Sequence, residues 1–225
     1  MKQDSKNRFV KSIKSIVLSS VLFAGSLSAD AMGNGFFLGF DVGGAFGALS
    51  NVGFNVTTTI DPALPSKTTL QVNAGFGLNV RIGGQKYFNE TNGMRFYLSL
   101  GGVVGAPSFA FGDLKVAGIT AVGDMNIDYL HDFTRTETQR FGVFVGMSAG
   151  YMLTFYPGGS ALVIQNISIP RFRGLTAGIN LGFRAVVQNH HQFEFITKTV
   201  ATNSVATENI FGFQMMLGAN YSYIF

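Results

Sequence analysis

The sequence predicts an all-β fold, an eight-stranded antiparallel transmembrane β-barrel of the outer-membrane type. Three observations predict it. Apolar residues recur at every second position through long stretches, which is the period of a strand. Several stretches exceed ten residues, against a usual strand of about five or six, and a membrane strand needs roughly 9–11. The apolar face of each stretch carries no Asp, Glu, Lys or Arg, whereas the opposite face is Gly, Ser, Asn and Gln with scattered charges. A Lys or Arg on a lipid-facing wall costs about 2–4 kcal/mol at the bilayer midplane. A buried sandwich core is not built with glycine and charge on one side, but a narrow, polar, crowded lumen is. Strand backbone in lipid must be fully paired, so such a sheet has to close on itself. Eight strands close into a small barrel that side chains fill.

The first strand is predicted over 35–48, with Phe36, Leu38, Phe40, Val42, Gly44 and Phe46 outward. The second, 69–83, alternates most cleanly: Leu70, Val72, Ala74, Phe76, Leu78, Val80 and Ile82 against Gln71, Asn73, Asn79 and Arg81. The third, 94–106, turns Phe96, Leu98 and Leu100 outward. The fourth, 116–130, sets Ile119, Met125, Ile127 and Tyr129 against Thr120, Asp124, Asn126 and Asp128. The fifth, 140–156, shows Phe141, Val143, Val145, Met147 and Tyr151, and the sixth, 174–187, shows Leu175, Ile179, Leu181 and Phe183. The seventh, 192–200, is shorter, with Phe193 and Phe195 against Gln192, Glu194 and Lys198. The eighth, FGFQMMLGANYSYIF at 211–225, ends on alternating Tyr221, Tyr223 and Phe225.

Inward glycine makes room in the lumen, although it weakens a strand. The inward charges Asp41, Arg81, Asp124, Asp128, Arg184 and Glu194 are expected to form one network. Arg81 and Arg184 should pair with some of those carboxylates, because an unpaired buried charge costs several kcal/mol. Outer connections are expected at 49–68, 107–115, 157–173 and 201–210, and inner turns at 84–93, 131–139 and 188–191. An even strand number puts both termini on the periplasmic side, with short turns there and longer loops outside.

The first 29 residues read as a secretory signal peptide, leaving 30–225 as the barrel. Lys2, Lys6, Arg8, Lys11 and Lys14 precede an apolar run from Ile16 to Gly25, and small residues follow. That run falls well short of the roughly 20 residues of a spanning helix. Cleavage after Ala29 or after Ala31 fits, and Ala29 is favoured. Of the 16 Lys and Arg and 12 Asp and Glu, five and one lie in this leader, so the formal charge of +4 belongs to it. The rest is neutral and carries no basic patch of the kind nucleic acid requires.

No cysteine is present, which excludes disulfides, thiolate metal sites and cysteine nucleophiles. His131, His190 and His191 all fall in expected inner turns and read as solvated, not as metal ligands. Asp124 and Asp128 share a strand face, a spacing that can split two pKa values for acid–base work, but lumen ion pairs are the better reading. The glycine pairs lack any P-loop context. No catalytic residue, metal or cofactor is expected. The segment 157–172 is apolar for an outer loop, with Leu162, Val163, Ile164, Ile167 and Ile169. It reads as a cap on the barrel mouth, an extension of the hairpin of strands five and six, or a partner contact.

The stretch SLSADAMGNGFFLGFDVGG at 26–44 resembles the mature start of Helicobacter outer membrane proteins, in which a leader ending in Leu-Ser-Ala precedes an Asn-Gly-Phe-Phe opening strand. The terminus NYSYIF resembles that family's closing strand and the general C-terminal signal read by the barrel-assembly machinery. The resemblance implies insertion into the outer membrane by that machinery. It also implies that Tyr221, Tyr223 and Phe225 serve as assembly signal as well as periplasmic aromatic girdle. Larger family members carry an adhesin domain ahead of the barrel, for which this chain leaves no room. The expected protein is therefore a non-enzymatic, surface-exposed barrel with a plugged lumen. Its partners are outer-membrane lipid and lipopolysaccharide, the assembly machinery, and a host-surface ligand at the outer loops. A small porin-like channel, an adhesin and a lipid-modifying enzyme are the alternative readings.

Overall fold

In the computed structural model, residues 33–51, 71–111, 114–155, 163–164, 167–168, 173–204 and 210–225 are described. The leader and its cleavage at Ala29, and most of the outer connections, lie outside them. Eight long strands make one closed antiparallel barrel: β1 (Gly35–Asn51), β2 (Gln71–Tyr87), β3 (Asn92–Phe111), β4 (Leu114–Arg135), β5 (Gln139–Phe155), β8 (Arg173–Val187), β9 (His191–Ser204) and β10 (Ile210–Ile224). Around the wall the order is β1-β10-β9-β8-β5-β4-β3-β2 and back to β1. The seam pairs β1 with β10 from Phe37↔Ile224 to Asn51↔Ile210. No edge is left between first and last strand, which is what lipid demands of a sheet.

The strands pass the expected limits at both ends. Toward the tight turns β2 runs to Tyr87 and β4 to Arg135; toward the longer connections β9 runs to Ser204, and β3 to Phe111 and β4 from Leu114 take up most of the connection expected at 107–115. The inner turns expected at 84–93 and 131–139 shrink accordingly to 88–91 and 136–138. The reason is that polar residues near strand ends alternate inward as well as the apolar ones do. His131 and Asp132 read as turn residues but continue β4, with Asp132 fully buried and Phe133 outward. A register shift between Asp132 and Thr134 accommodates the extra residue, as bulges do at barrel rims.

Side chains close the turns. The Asn89 Oδ1 accepts the backbone N–H of Thr91 at 3.0 Å and of Asn92 at 2.8 Å. Gln188 and Asn189 both have positive φ, 53° and 60°, the geometry of the two-residue turn whose twist suits a hairpin. Asn189 Nδ2 donates to the Glu137 carbonyl, tying adjacent turns.

The two faces separate as the alternation predicts. Leu38, Phe40, Val80, Ile82, Leu100, Met147, Leu175, Leu181 and Phe195 are exposed on the outside, Leu100 by 71%. In water such a continuous apolar wall would be an aggregation surface, whereas in a bilayer it is the solvated face. No helix among the described residues is long and apolar enough to cross a membrane. The apolar loop at 157–172 contains a two-residue hairpin, β6 (Val163–Ile164) with β7 (Ile167–Ser168), that forms a sheet of its own. Among the described residues the β5–β8 ladder reaches Leu153↔Arg173, and most of the segment between it and this hairpin lies outside them.

Candidate functional site

Inward-facing residues of all eight strands meet in the lumen. Glu194 on β9 is its keystone. Its carboxylate receives Arg81 Nη1 at 3.0 Å and also binds Arg95. β9 and β3 stand four places apart in a ring of eight, so the Arg95–Glu194 pair crosses the full diameter. Arg81 Nε donates to Asp41 at 2.6 Å, and Arg95 Nε donates to Asp128 at 2.8 Å. These groups are buried from bulk solvent, with Arg95 and Asp128 at 0% exposure.

Neutral amides extend the strap. Asn220 Nδ2 donates to Asp41 Oδ1 at 2.6 Å, which fastens β10 to β1 across the seam. Asn180 Nδ2 donates to Asp128 at 3.0 Å. Gln192 links Glu194, at 2.9 Å, to Arg184, at 3.0 Å. Lys198 Nζ donates to Asp124 at 2.5 Å. Among the described residues the lumen therefore sets Arg81, Arg95, Arg140, Arg184 and Lys198 against Asp41, Asp124, Asp128, Asp132 and Glu194, and the formal charges cancel.

Each expected network residue points inward, but one partner differs. Arg184 stands opposite Glu194 on the β8–β9 ladder but forms no ion pair with any of the four carboxylates expected for it. Its Nε lies 3.9 Å from Asp132, which the Tyr87 hydroxyl holds at 2.7 Å. Asp132 was hidden by the reading of 131–139 as a turn. Continuing the period two beyond Leu130 places it inward. Arg95 and Lys198 join the network beyond the expected set, and the parity of their strands turns both inward. Tyr97, on the polar parity of β3, and Phe144 both lie under guanidinium groups. Arg81 and Arg95 sit 5.2 Å from the Tyr97 ring, and Arg95 sits 4.4 Å from Phe144. These contacts compensate part of the burial of the cations.

Glycine opposite the charges is a steric requirement. A Cβ on Gly146 would collide with the Asp128 carboxylate and the Ile127 carbonyl. Gly146→Val is expected to lower stability by about 1–3 kcal/mol, as overpacking does, read as a lower unfolding midpoint in urea. Toward the end opposite the tight turns the lining changes to Ala45, Val103, Met152, Val200 and Met216 with Thr120, Thr154 and Thr202. A cavity lined by Asp41, Asn79, Arg81 and Lys198 among others has a volume of about 10 Å³, the size of a single water.

No cluster of three or more His, Cys, Asp or Glu suited to a metal exists among the described residues. The histidines lie on the outer wall, away from the lumen acids. His131 and His191 are strand residues, not turn residues, and His190 closes its turn. The imidazole of His191 meets the Tyr221 hydroxyl at 2.9 Å, and that of His190 stacks on Tyr223 at 5.5 Å. Tyr221, Tyr223 and Phe225 project outward beside the tight turns, where Phe225 also meets Phe36. Asp124 and Asp128 are each committed to a cation, with Asn126 bonded to Asp124 between them.

No curated protein matches the chain. Among solved structures, Neisserial surface protein A aligns at a TM-score of 0.50 with 11% identity, covering 84% of this chain and 97% of that one. The outer membrane protein OprG from Pseudomonas aeruginosa aligns at 0.42 with 14% identity, covering 84% and 96%. The attachment invasion locus protein of Yersinia pestis aligns at 0.37 with 12% identity, covering 83% and 97%. At such identities the first supports the eight-stranded fold alone. Sequence gives more: the profile described as Helicobacter outer membrane protein matches residues 79–225, well over half of the chain. The chain belongs to the Helicobacter outer membrane protein family and is an outer-membrane β-barrel protein.

Proposed function

We propose that the barrel is a plugged, surface-exposed scaffold of the outer membrane, without channel or enzyme activity of its own. The diametric ion-pair strap through Glu194 supports this most directly. A hydrated ion following the lumen would have to break several buried charge contacts. Above the strap it would meet a collar of Ala45, Val103, Met152, Val200 and Met216, with the hydroxyls of Thr120, Thr154 and Thr202 between them. Reconstituted into planar bilayers, the purified protein is expected to give no stable conductance steps. Reproducible single-channel steps from the unmodified chain would sink the proposal and favour the small-pore reading.

The tight turns mark the periplasmic end, since outer-membrane barrels have short turns there and longer connections outside. On that orientation Tyr221, Tyr223 and Phe225 lie at the periplasmic interface, beside the assembly machinery's point of contact. Truncation of Phe225 with Tyr223→Ala is expected to slow insertion in cells while detergent refolding still reaches the heat-modifiable form. Equal insertion rates would remove the recognition role and leave a girdle. The connections at the opposite end meet lipopolysaccharide and a host-surface ligand. The leader is cleaved after Ala29. N-terminal sequencing of protein from the outer membrane is expected to begin at Asp30.

A further inference from the structure

The outer wall at the periplasmic side of the seam carries aromatic rings that touch one another in a chain. Phe36 of β1 contacts Phe225 with centroids 5.9 Å apart, and Phe225 meets Tyr223 edge-on at 5.1 Å. Tyr223 lies between two imidazoles, with His190 stacked on it at 5.5 Å and His191 edge-on at 5.5 Å. Tyr221 then bonds His191. The two tyrosines and Phe225 are exposed, by 41%, 37% and 53%.

The electronic character of this cluster is one-sided. His190 Nδ1 faces the Ile224 carbonyl at 2.8 Å. A carbonyl only accepts, so Nδ1 carries the proton and Nε2 of the neutral ring is an acceptor. The ring faces are negative poles of their quadrupoles. Inside the barrel the comparable faces of Tyr87, Tyr97 and Phe144 are covered by arginines. No lysine or arginine lies across Tyr223 or Phe225 among the described residues. Loopward of the cluster the outward residues are Phe193, Phe195 and Leu217, the apolar belt itself. The rings therefore stand where that belt gives way to lipid headgroups.

We infer that Tyr223, Phe225, His190 and His191 form a headgroup site at the seam that selects lipids bearing an ammonium, such as phosphatidylethanolamine, over anionic lipids. The ammonium sits against ring faces and an imidazole lone pair, and the acyl chains continue along the apolar belt. The inference rests on the turn end lying at a bilayer interface, as proposed above.

The test reconstitutes the full chain in vesicles of equal phosphatidylethanolamine and phosphatidylglycerol with identical acyl chains. It then counts the lipids retained after mild detergent extraction by native mass spectrometry. The unmodified protein is expected to retain phosphatidylethanolamine about threefold over phosphatidylglycerol, the factor that one exposed cation–π contact supplies. Tyr223→Leu with His190→Leu is expected to abolish the preference, and Tyr223→Phe, which keeps the ring, to preserve it. Tyr129→Leu on the far wall serves as a folded control that leaves the preference intact. Heat-modifiable mobility confirms that each variant is a barrel before lipids are counted, so a chain that fails to insert counts against the membrane reading instead. Equal retention, an unchanged preference in the double variant, or a preference for phosphatidylglycerol would each overturn the inference.

Discussion

Glu194→Ala is expected to destabilise the barrel by about 3–5 kcal/mol, the cost of leaving buried charge without its partner. The size follows from the geometry. One carboxylate answers two guanidinium groups from β2 and β3 and an amide from its own strand. Removing it strands Arg81 with Asp41 alone and Arg95 with Asp128 alone, beside a cavity of only about 10 Å³. The variant should lose its heat-modifiable mobility at lower temperature and unfold at lower urea than the unmodified chain. Glu194→Leu combined with Arg95→Leu should lose less than the sum of the two single changes, because the pair is then removed together and residues in contact are not additive. Additive losses would show that the two side chains do not share a site.

Met147→Arg is expected to cost about 2–4 kcal/mol, through the opposite mechanism. Met147 lies near the middle of β5, opposite Ile179 of β8, and is exposed by 65% on the outer wall. Exposure of that kind in water would make arginine harmless or beneficial. In a bilayer the same position is the hydrocarbon centre. The contrast makes the substitution diagnostic, read as the free energy of folding into lipid vesicles from urea. The adjacent Ser148 faces the lumen, so Ser148→Ala should change stability much less.

The fold was legible because a two-residue period leaves little freedom once one face must meet lipid. Each outward residue read from β1, β5, β8 and β10 keeps its face, since a slip by one residue would exchange the faces wholesale. Strand ends were less legible. His131 and Asp132 have turn-like polarity, and local chemistry does not distinguish a polar turn from a polar residue aimed into a charged lumen. The network was legible as a set of inward charges, but its pairing was not. Which arginine meets which carboxylate depends on which walls face each other, and that follows from closure and stagger. The diametric reach of Arg95 to Glu194 and the diversion of Arg184 to Asp132 are properties of the closed ring. Tyr97 and Phe144 carry no sequence mark that separates a lumen aromatic from a girdle one, apart from their parity.

The central claim is that the two faces of every strand have different solvents. The chain has no cysteine, so single cysteines can be placed and spin-labelled without background. The decisive measurement is a scan of β8 from Arg173 to Val187 in lipid vesicles, reading collision with oxygen, which concentrates in lipid, at each position. The account predicts high collision rates at Leu175, Ala177, Ile179, Leu181 and Phe183, with low rates at Thr176, Gly178, Asn180, Gly182 and Arg184. Low oxygen access at Leu175, Ile179 and Phe183, with ready access from water to Asn180 and Arg184, would contradict it.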